Sequence, residues 1–230
     1  MPRGILITAT EPAAGKTLIG CALAFAAHAR GMRVGVMKPI ATGCREVDRI
    51  LEAADVRGLA YAAACDLPLE LICPYRYRSP FSPAIAVHDE NAAPDLLEIA
   101  EAYRKIAARS DFVMVEGFDA LATPIAFATP HSRLKDTTDL ARTLNLNVAI
   151  VARNSAGCLN ATRLAIEHAE GRGVRIAGTI LNDVDATLAP VADSNLECLR
   201  EAIAVPILGR VRFKQPVTRE IIDALLHRFE

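Results

Sequence analysis

The chain has 230 residues, room for one large α/β domain or two small ones, and no Ser/Gly-rich or charged linker divides it. Apolar residues make up 52 % and aromatic ones only 5 %, with Trp absent, so the core must be aliphatic and Ala-rich, as in layered helix–sheet proteins. A net charge of −1, from 26 basic and 27 acidic residues, leaves no electrostatic footprint for nucleic acid or an anionic membrane.

In chain order, Gly4–Thr8 (GILIT) is a short apolar run rich in β-branched residues and predicts a buried strand. A small-residue turn leads into an Ala/Leu-rich helix over Lys16–Arg30, ended by Gly31, and Arg33–Lys38 (RVGVMK) predicts a second strand stopped by Pro39. This is the strand–loop–helix–strand unit of a parallel sheet. Asp48–Ala64 reads as a helix, Cys73–Val87 as a Pro-rich loop with short extended pieces, and Pro94–Arg109 as an amphipathic helix. Phe112–Glu116 (FVMVE) is a strand and Leu121–Leu134 irregular. Thr137–Leu144 is a helix, Asn147–Ala152 a strand and Ala161–Gly171 a helix. Arg175–Leu181 is a strand, Asn195–Ala204 a helix, Ile207–Val211 a short strand and Thr218–His227 a closing helix. Strands that are nearly all apolar and alternate with helices predict one α/β domain over residues 1–230, a mostly parallel sheet with helices on both faces.

No apolar run reaches the ~18 residues of a transmembrane helix, and the N-terminus starts directly on a strand without a signal-peptide layout. Six cysteines stand without a CxxC pair. The expectation is a cytoplasmic protein with reduced thiols and no membrane or nucleic-acid partner. The histidines at 28, 88, 131, 168 and 227 show no metal-ligand spacing.

The strongest chemical signal is T-E-P-A-A-G-K-T, Thr10-Glu11-Pro12-Ala13-Ala14-Gly15-Lys16-Thr17, between a strand and a helix. Backbone N–H groups of such a turn surround a phosphate, the helix dipole favours negative charge, the Lys reaches the outer phosphates, and the Thr hydroxyl can bind Mg²⁺. The strict P-loop pattern wants Gly where Thr10 stands, preceded here by Ala9. Lys38 closes the second strand in K-P-I-A-T-G with Thr42. Ligands of open α/β sheets sit at the carboxyl ends of strands, so Lys38 points into the same crevice as Lys16. Two ammonium groups around one site suit an anion that gains charge during reaction. Glu116 ends the strand FVMVE and can hold Mg²⁺ directly or through water, with Asp55 as a second carboxylate that alone would read as a surface residue. Asn182 closes the strand RIAGTIL and can either read a nucleobase edge or form a turn. The stretch S-A-G-C-L-N, with Gly157, Cys158 and Asn160, opens a helix whose free N–H groups suit a carboxylate or simply cap the helix.

Taken together these motifs resemble the dethiobiotin synthetase family. I-T-A-T-E-P-A-A-G-K-T is similar to that family's T-G-T-D-T-x-V-G-K-T, with the same extra residue of spacing over the common P-loop. M-K-P-I-A-T-G resembles K-P-V-x-S/T-G, and S-P-F-S-P-A-I-A resembles P-x-S-P-x-x-A. F-V-M-V-E-G matches a strand ending in V-E-G. A-R-N-S-A-G-C-L-N, I-L-N-D and V-P-I-L-G resemble three later segments. The resemblance implies an ATP- and Mg²⁺-dependent, ADP-forming cyclo-ligase of biotin synthesis. Its substrates would be a diamine, 7,8-diaminononanoate, and CO2 or bicarbonate, and its assembly a homodimer. By the same resemblance Lys16, Lys38 and Thr42 serve catalysis, and Thr10–Thr17 with Asn182 bind nucleotide. Thr17, Asp55 and Glu116 arrange the metal. Lys38, Thr42, Gly157, Cys158 and Asn160 contact substrate, the last three across the dimer interface. The chain departs from the family after V-E-G, where Phe118-Asp119-Ala120 stands in place of A-G-G, and at Ala9, Arg210 and Arg212. Two other classes compete: a binding or regulatory domain that keeps only the nucleotide site, and a related P-loop ATPase. Partition and septum-site ATPases usually carry a second Lys early in the loop, where this chain has Thr10-Glu11-Pro12. Cobyrinate-type synthases need a glutaminase domain for which 230 residues leave little room.

Overall fold

The computed structural model describes residues 3–130, 132–186 and 189–227. Six strands form one parallel sheet: β1 (Arg3–Ala9), β2 (Val34–Met37), β7 (Phe112–Ala120), β10 (Asn147–Arg153), β11 (Ile176–Asn182) and β12 (Ile207–Val211), in the order β12-β11-β10-β1-β7-β2. The alternation of side chains along each strand builds two separate cores. Ile5, Ile7, Phe112, Met114, Ala149 and Val151 face one side, with helices α1 (Lys16–His28), α2 (Ala54–Ala62) and α9 (Arg219–His227). Leu6, Val113, Val115, Val148 and Ile150 face the other, with α5 (Leu96–Ala107), α6 (Thr137–Leu144) and α7 (Cys158–Glu170). A strand covered on both faces has no polar side to show, which is why these runs are apolar throughout.

Most expected elements stand within a few residues of their predicted bounds, and α6 and β12 coincide with theirs. Four expectations are corrected. The helix predicted over Asp48–Ala64 is a hairpin, β4 (Arg45–Val47) and β5 (Ile50–Glu52), followed by the shorter α2. Asp48 and Arg49 take φ of 50° and 67°, the left-handed pair of a tight hairpin turn, which ends any helical register there. The segment read as a Pro-rich loop contains β6 (Tyr75–Arg76) and the helix α4 (Pro83–Glu90), whose Pro83 occupies the first turn, where its fixed φ suits a helix start. The stretch read as irregular pairs β8 (Pro124–Ala126) with β9 (Lys135–Asp136). The helix α8 runs from Ala189 to Ala202, beginning earlier than Asn195. Between β2 and the hairpin lies the two-residue strand β3 (Ile40–Ala41), and a short helix α3 (Leu69–Ile72) precedes β6.

Candidate functional site

The carboxyl ends of β1, β2 and β7 converge on a cavity of about 330 Å³ lined by Ala13, Gly15, Lys16, Thr17, Lys38, Thr42, Asp55, Glu116, Gly117, Phe118 and Asp119. The phosphate loop between β1 and α1 wraps one side. Its shape depends on two left-handed residues, Ala13 at φ 55° and Gly15 at φ 100°. Gly15 is required twice over: its φ is one that L side chains avoid, and an added Cβ would lie 2.2 Å from Asn182 Nδ2. Asn182, at the end of β11, donates from Nδ2 to the Ala14 carbonyl at 2.8 Å. Thr10 Oγ1 accepts the Arg153 N–H at 3.2 Å and Glu11 pairs with Arg153 at 3.9 Å, so these loop residues tie it to β10.

Lys38 follows β2 directly, and its neighbours are fixed by pairing. Its N–H donates to the Ile72 carbonyl at 2.8 Å, β3 pairs in parallel with β6, and the Gly43 N–H donates to the Ser79 carbonyl at 2.8 Å. The Ser-Pro-rich segment therefore braces the loop that carries Thr42. Lys38 Nζ lies 2.8 Å from Glu116 Oε1 and also meets the Asp55 carboxylate. The Lys38 and Glu116 side chains are 10 % and 1 % exposed, a degree of burial at which charges persist only when paired. Thr17 Oγ1 donates to the same Glu116 Oε1 at 3.2 Å, and the buried Oε2 has no hydrogen-bond partner. An orphaned, buried carboxylate oxygen beside a Thr hydroxyl is a hard-donor arrangement suited to Mg²⁺, which takes one or two carboxylates and completes its shell with water and phosphate. Among the described residues no three His, Cys, Asp or Glu side chains gather as a closed metal cage, and magnesium requires none.

Lys16 lies 3.7 Å from Asp119. Burial pushes its ammonium below the ordinary lysine value, against the pull of the Asp119 and Glu116 carboxylates and with help from the Lys38 charge. Phe118 and Asp119 are the lining residues that motif reading noted only as departures; their position two and three residues beyond Glu116 on the same strand end was the signal that could have placed them in the site.

Asn182 also lines a second recess, of about 460 Å³, on the far side of the phosphate loop with Leu18, Asp183, Val184, Arg212, Phe213 and Lys214. Behind it the Arg210 guanidinium forks onto Asp183, with Nε at 2.9 and 2.8 Å from the two carboxylate oxygens, and Asn154 Nδ2 donates to Asp183 at 2.7 Å. Gly157, Cys158 and Asn160 do not line the 330 Å³ cavity. The Cys158 thiol is buried with Ala152, Leu181 and Leu199, so the start of α7 offers backbone rather than sulfur outward. A wider cleft of about 590 Å³ lies at the opposite, amino end of β2, away from both lysines of the site. His131 is outside the described residues.

With the geometry in place, comparisons with known proteins converge. A family model described as "AAA domain" matches residues 3–221. The "ATP-dependent dethiobiotin synthetase BioD" of Aromatoleum aromaticum is 35 % identical over 210 residues, covering 91 % of this chain and 90 % of the relative. The protein of the same name from Anaeromyxobacter sp. (strain K) is 39 % identical over 180 residues, 78 % of this chain and 76 % of its own length. Among solved structures, the septum site-determining protein MinD of Pyrococcus horikoshii superposes with a TM-score of 0.55 at 18 % identity over 97 % of this chain and 86 % of its own. The pNOB8 ParA gives a TM-score of 0.59 at 13 % identity, covering 99 % and 98 %. At such identities the two superpositions speak to the fold alone, the P-loop NTPase arrangement of a parallel sheet between helices.

Proposed function

Because the chain belongs to the ATP-dependent dethiobiotin synthetase family, we propose that it carboxylates 7,8-diaminononanoate and closes the ureido ring at the expense of ATP. One amine captures CO2 as a carbamate, a carbamate oxygen attacks the γ-phosphorus of ATP and releases ADP, and the second amine attacks the activated carbonyl and expels phosphate. Each step moves negative charge across a small region, and positioned cations lower its cost.

The observation that carries this reading is Lys38, held between Asp55 and Glu116 and facing the same cavity as Lys16. A P-loop that only binds nucleotide needs one lysine. A second buried lysine at the end of the next strand serves a second anion, here the carbamate and its phosphorylated form. In this proposal the N–H groups of residues 13–17 hold the β- and γ-phosphates, and Lys16 follows the transferring group. Thr42 hydrogen-bonds the diamine or its carbamate, and Asn182 reads the base from the recess with Phe213. Thr17, Glu116 and Asp55 would hold Mg²⁺, which when bound neutralises phosphate charge and fixes its orientation. The dimer belongs to the same proposal, with the Gly157–Asn160 helix start facing the carboxylate tail of a diamine bound by the partner protomer. Six unpaired thiols suit a reducing cytosol.

Incubation with diamine, bicarbonate, Mg²⁺ and ATP should yield a cyclic urea with one ADP per product. ADP release at background from a folded, nucleotide-binding protein would leave the chain a binding domain instead. Lys38→Ala should lower turnover by about 10²–10³, as does loss of one charge-stabilising group elsewhere, with nucleotide binding retained.

A further inference from the structure

Three carboxylates line the cavity, and two of them, Asp55 and Glu116, already face Lys38. The third, Asp119, has no part in the family reaction outlined above and stands where the resembling motif carries a small residue. Its backbone sits at φ 35°, a left-handed conformation that Gly, Asn and Asp tolerate best. Two hydroxyls hold it there: Thr8 Oγ1, from β1, donates to the Asp119 carbonyl at 3.0 Å, and Thr137 Oγ1, from α6, donates to the Phe118 carbonyl at 3.0 Å. The peptide is thus fixed from two elements so that the carboxylate reaches Lys16.

A phosphate arriving at Lys16 meets that carboxylate as a like charge at close range in a partly desolvated site, where repulsion is strong. Phosphate therefore has to take Lys16 from Asp119. Lys38 is no alternative partner in this arrangement, because it pairs with Asp55 and Glu116 rather than with Asp119. The displaced carboxylate is left in the wall of a cavity that Phe118 also lines, its side chain 23 % exposed. The ligand chemistry that answers a carboxylate without its ammonium partner is another ammonium, and Phe118 offers an alkyl chain one large apolar side chain in the same cavity.

We propose that Asp119 is a specificity-determining residue that caps Lys16 in the nucleotide-free chain and, once phosphate has taken Lys16, becomes the anionic contact for an ammonium group of the diamine. This rests on the diamine reading of the site. It makes the two ligands cooperative, because each favours the same released state of one carboxylate, and linkage requires the coupling to be reciprocal.

The test is calorimetric titration of 7,8-diaminononanoate with and without a non-hydrolysable ATP analogue and Mg²⁺, in the full chain and in Asp119→Asn. Asn keeps the left-handed backbone, and Asp119→Gly removes the strain altogether, so both variants should fold. In the unchanged chain the analogue should tighten diamine binding about tenfold, the scale of one charge-assisted contact. Asp119→Asn should bind the analogue several-fold more tightly, bind diamine about tenfold more weakly in its presence, and show correspondingly reduced coupling. In steady state it should raise the diamine KM far more than it lowers kcat. Equal coupling in both proteins, or an analogue affinity that Asp119→Asn leaves unchanged or weakens, overturns the proposal. If diamine binds neither protein under any condition, the diamine reading itself fails and this inference with it. A rise in analogue affinity on Asp119→Asn would then still mark the exchange at Lys16 as the part that survives.

Discussion

Lys16 is a cation kept in surroundings that disfavour cations until an anion arrives. Burial lowers its pKa below the ordinary 10.5, and Asp119 and Glu116 only partly restore it. The consequence for stability has a definite sign. Between the lowered folded value and the unfolded one, the unfolded chain binds more protons, so the penalty is full below the folded value and is relieved as pH rises from it toward the unfolded one. The consequence for ligand binding has the opposite sense. Phosphate favours the charged form, so nucleotide affinity should decline as pH climbs past the lowered lysine value, before an ordinary lysine would begin to titrate. Lys16→Arg stays protonated throughout, so its affinity, weaker at pH 8 for lost geometry, should not fall further toward pH 10. Calorimetric dissociation constants across that range check this, and parallel profiles for the two proteins would assign the alkaline decline elsewhere. Lys16, Lys38 and Glu116 were legible from the sequence because each ends or follows an apolar strand, where topology alone sends side chains to one edge of the sheet. Asp119 was legible only as a departure. Its role depends on a left-handed backbone and two threonine hydroxyls from distant segments, and no local pattern encodes those.

At the scale of elements, α6 links the far face of the sheet to the site. It starts with a reciprocal cap, in which the Asp139 N–H donates to Asp136 Oδ1 at 3.0 Å and the Asp136 N–H donates to Asp139 Oδ2 at 3.1 Å. Both carboxylates are buried among cationic and imidazole partners: Arg172, in the turn after α7, meets both, Arg133 meets Asp139, and His168 Nε2 of α7 lies 3.2 Å from Asp136. Thr137, the first helical residue after this cap, holds the Phe118 carbonyl. Asp136→Ala removes a cap and leaves Arg172 and His168 short of a partner, so it should lower stability by about 2–4 kcal/mol, read as a fall in urea midpoint with unchanged slope. Asp136→Asn keeps the cap acceptor and should cost about half as much. A loss below ~0.5 kcal/mol for the alanine variant would show that the network only decorates the surface of the helix. The same contrast explains which elements the sequence concealed. Most helices and strands of the central layers carry their own periodicity and stand within a few residues of their expected ranges, with α2 the exception. The β4–β5 hairpin carries no Asn-Gly turn, only Asp48-Arg49 forced into left-handed φ, and E-A-A-D-V beyond it has helical spacing, so the two ran together. The helix α4 is short and rich in Ala, and its one local signal, Ser82-Pro83 at the start, was outweighed by the prolines around it.

For the molecule as a whole, both cores are built on the same strands: Ile5 and Ile7 of β1 belong to one and Leu6 between them to the other. Neither layer of helices can leave without exposing one full face of β1, β7 and β10, so the described chain should unfold as a single unit, with calorimetric and van't Hoff enthalpies equal. Nucleotide acts on that unit from a particular place. The phosphate loop is fastened to β11 by Asn182 and to β10 by Thr10 and Glu11, while Lys38 follows β2 and Glu116 lies in β7, both on the other side of β1. A ligand held by both groups spans the central strand and binds only the assembled sheet. At 100 times its dissociation constant such a ligand stabilises the native state by about 2.7 kcal/mol, which for a chain of this size raises Tm by about 5–10 °C. The same concentration of Mg-ADP should leave the Tm of Lys16→Ala nearly unchanged while its unliganded melting stays a single transition. Two transitions in the unliganded chain, with nucleotide moving only one, would mean that the halves of the sheet on either side of β1 fold separately, and that the site joins two units rather than growing out of one.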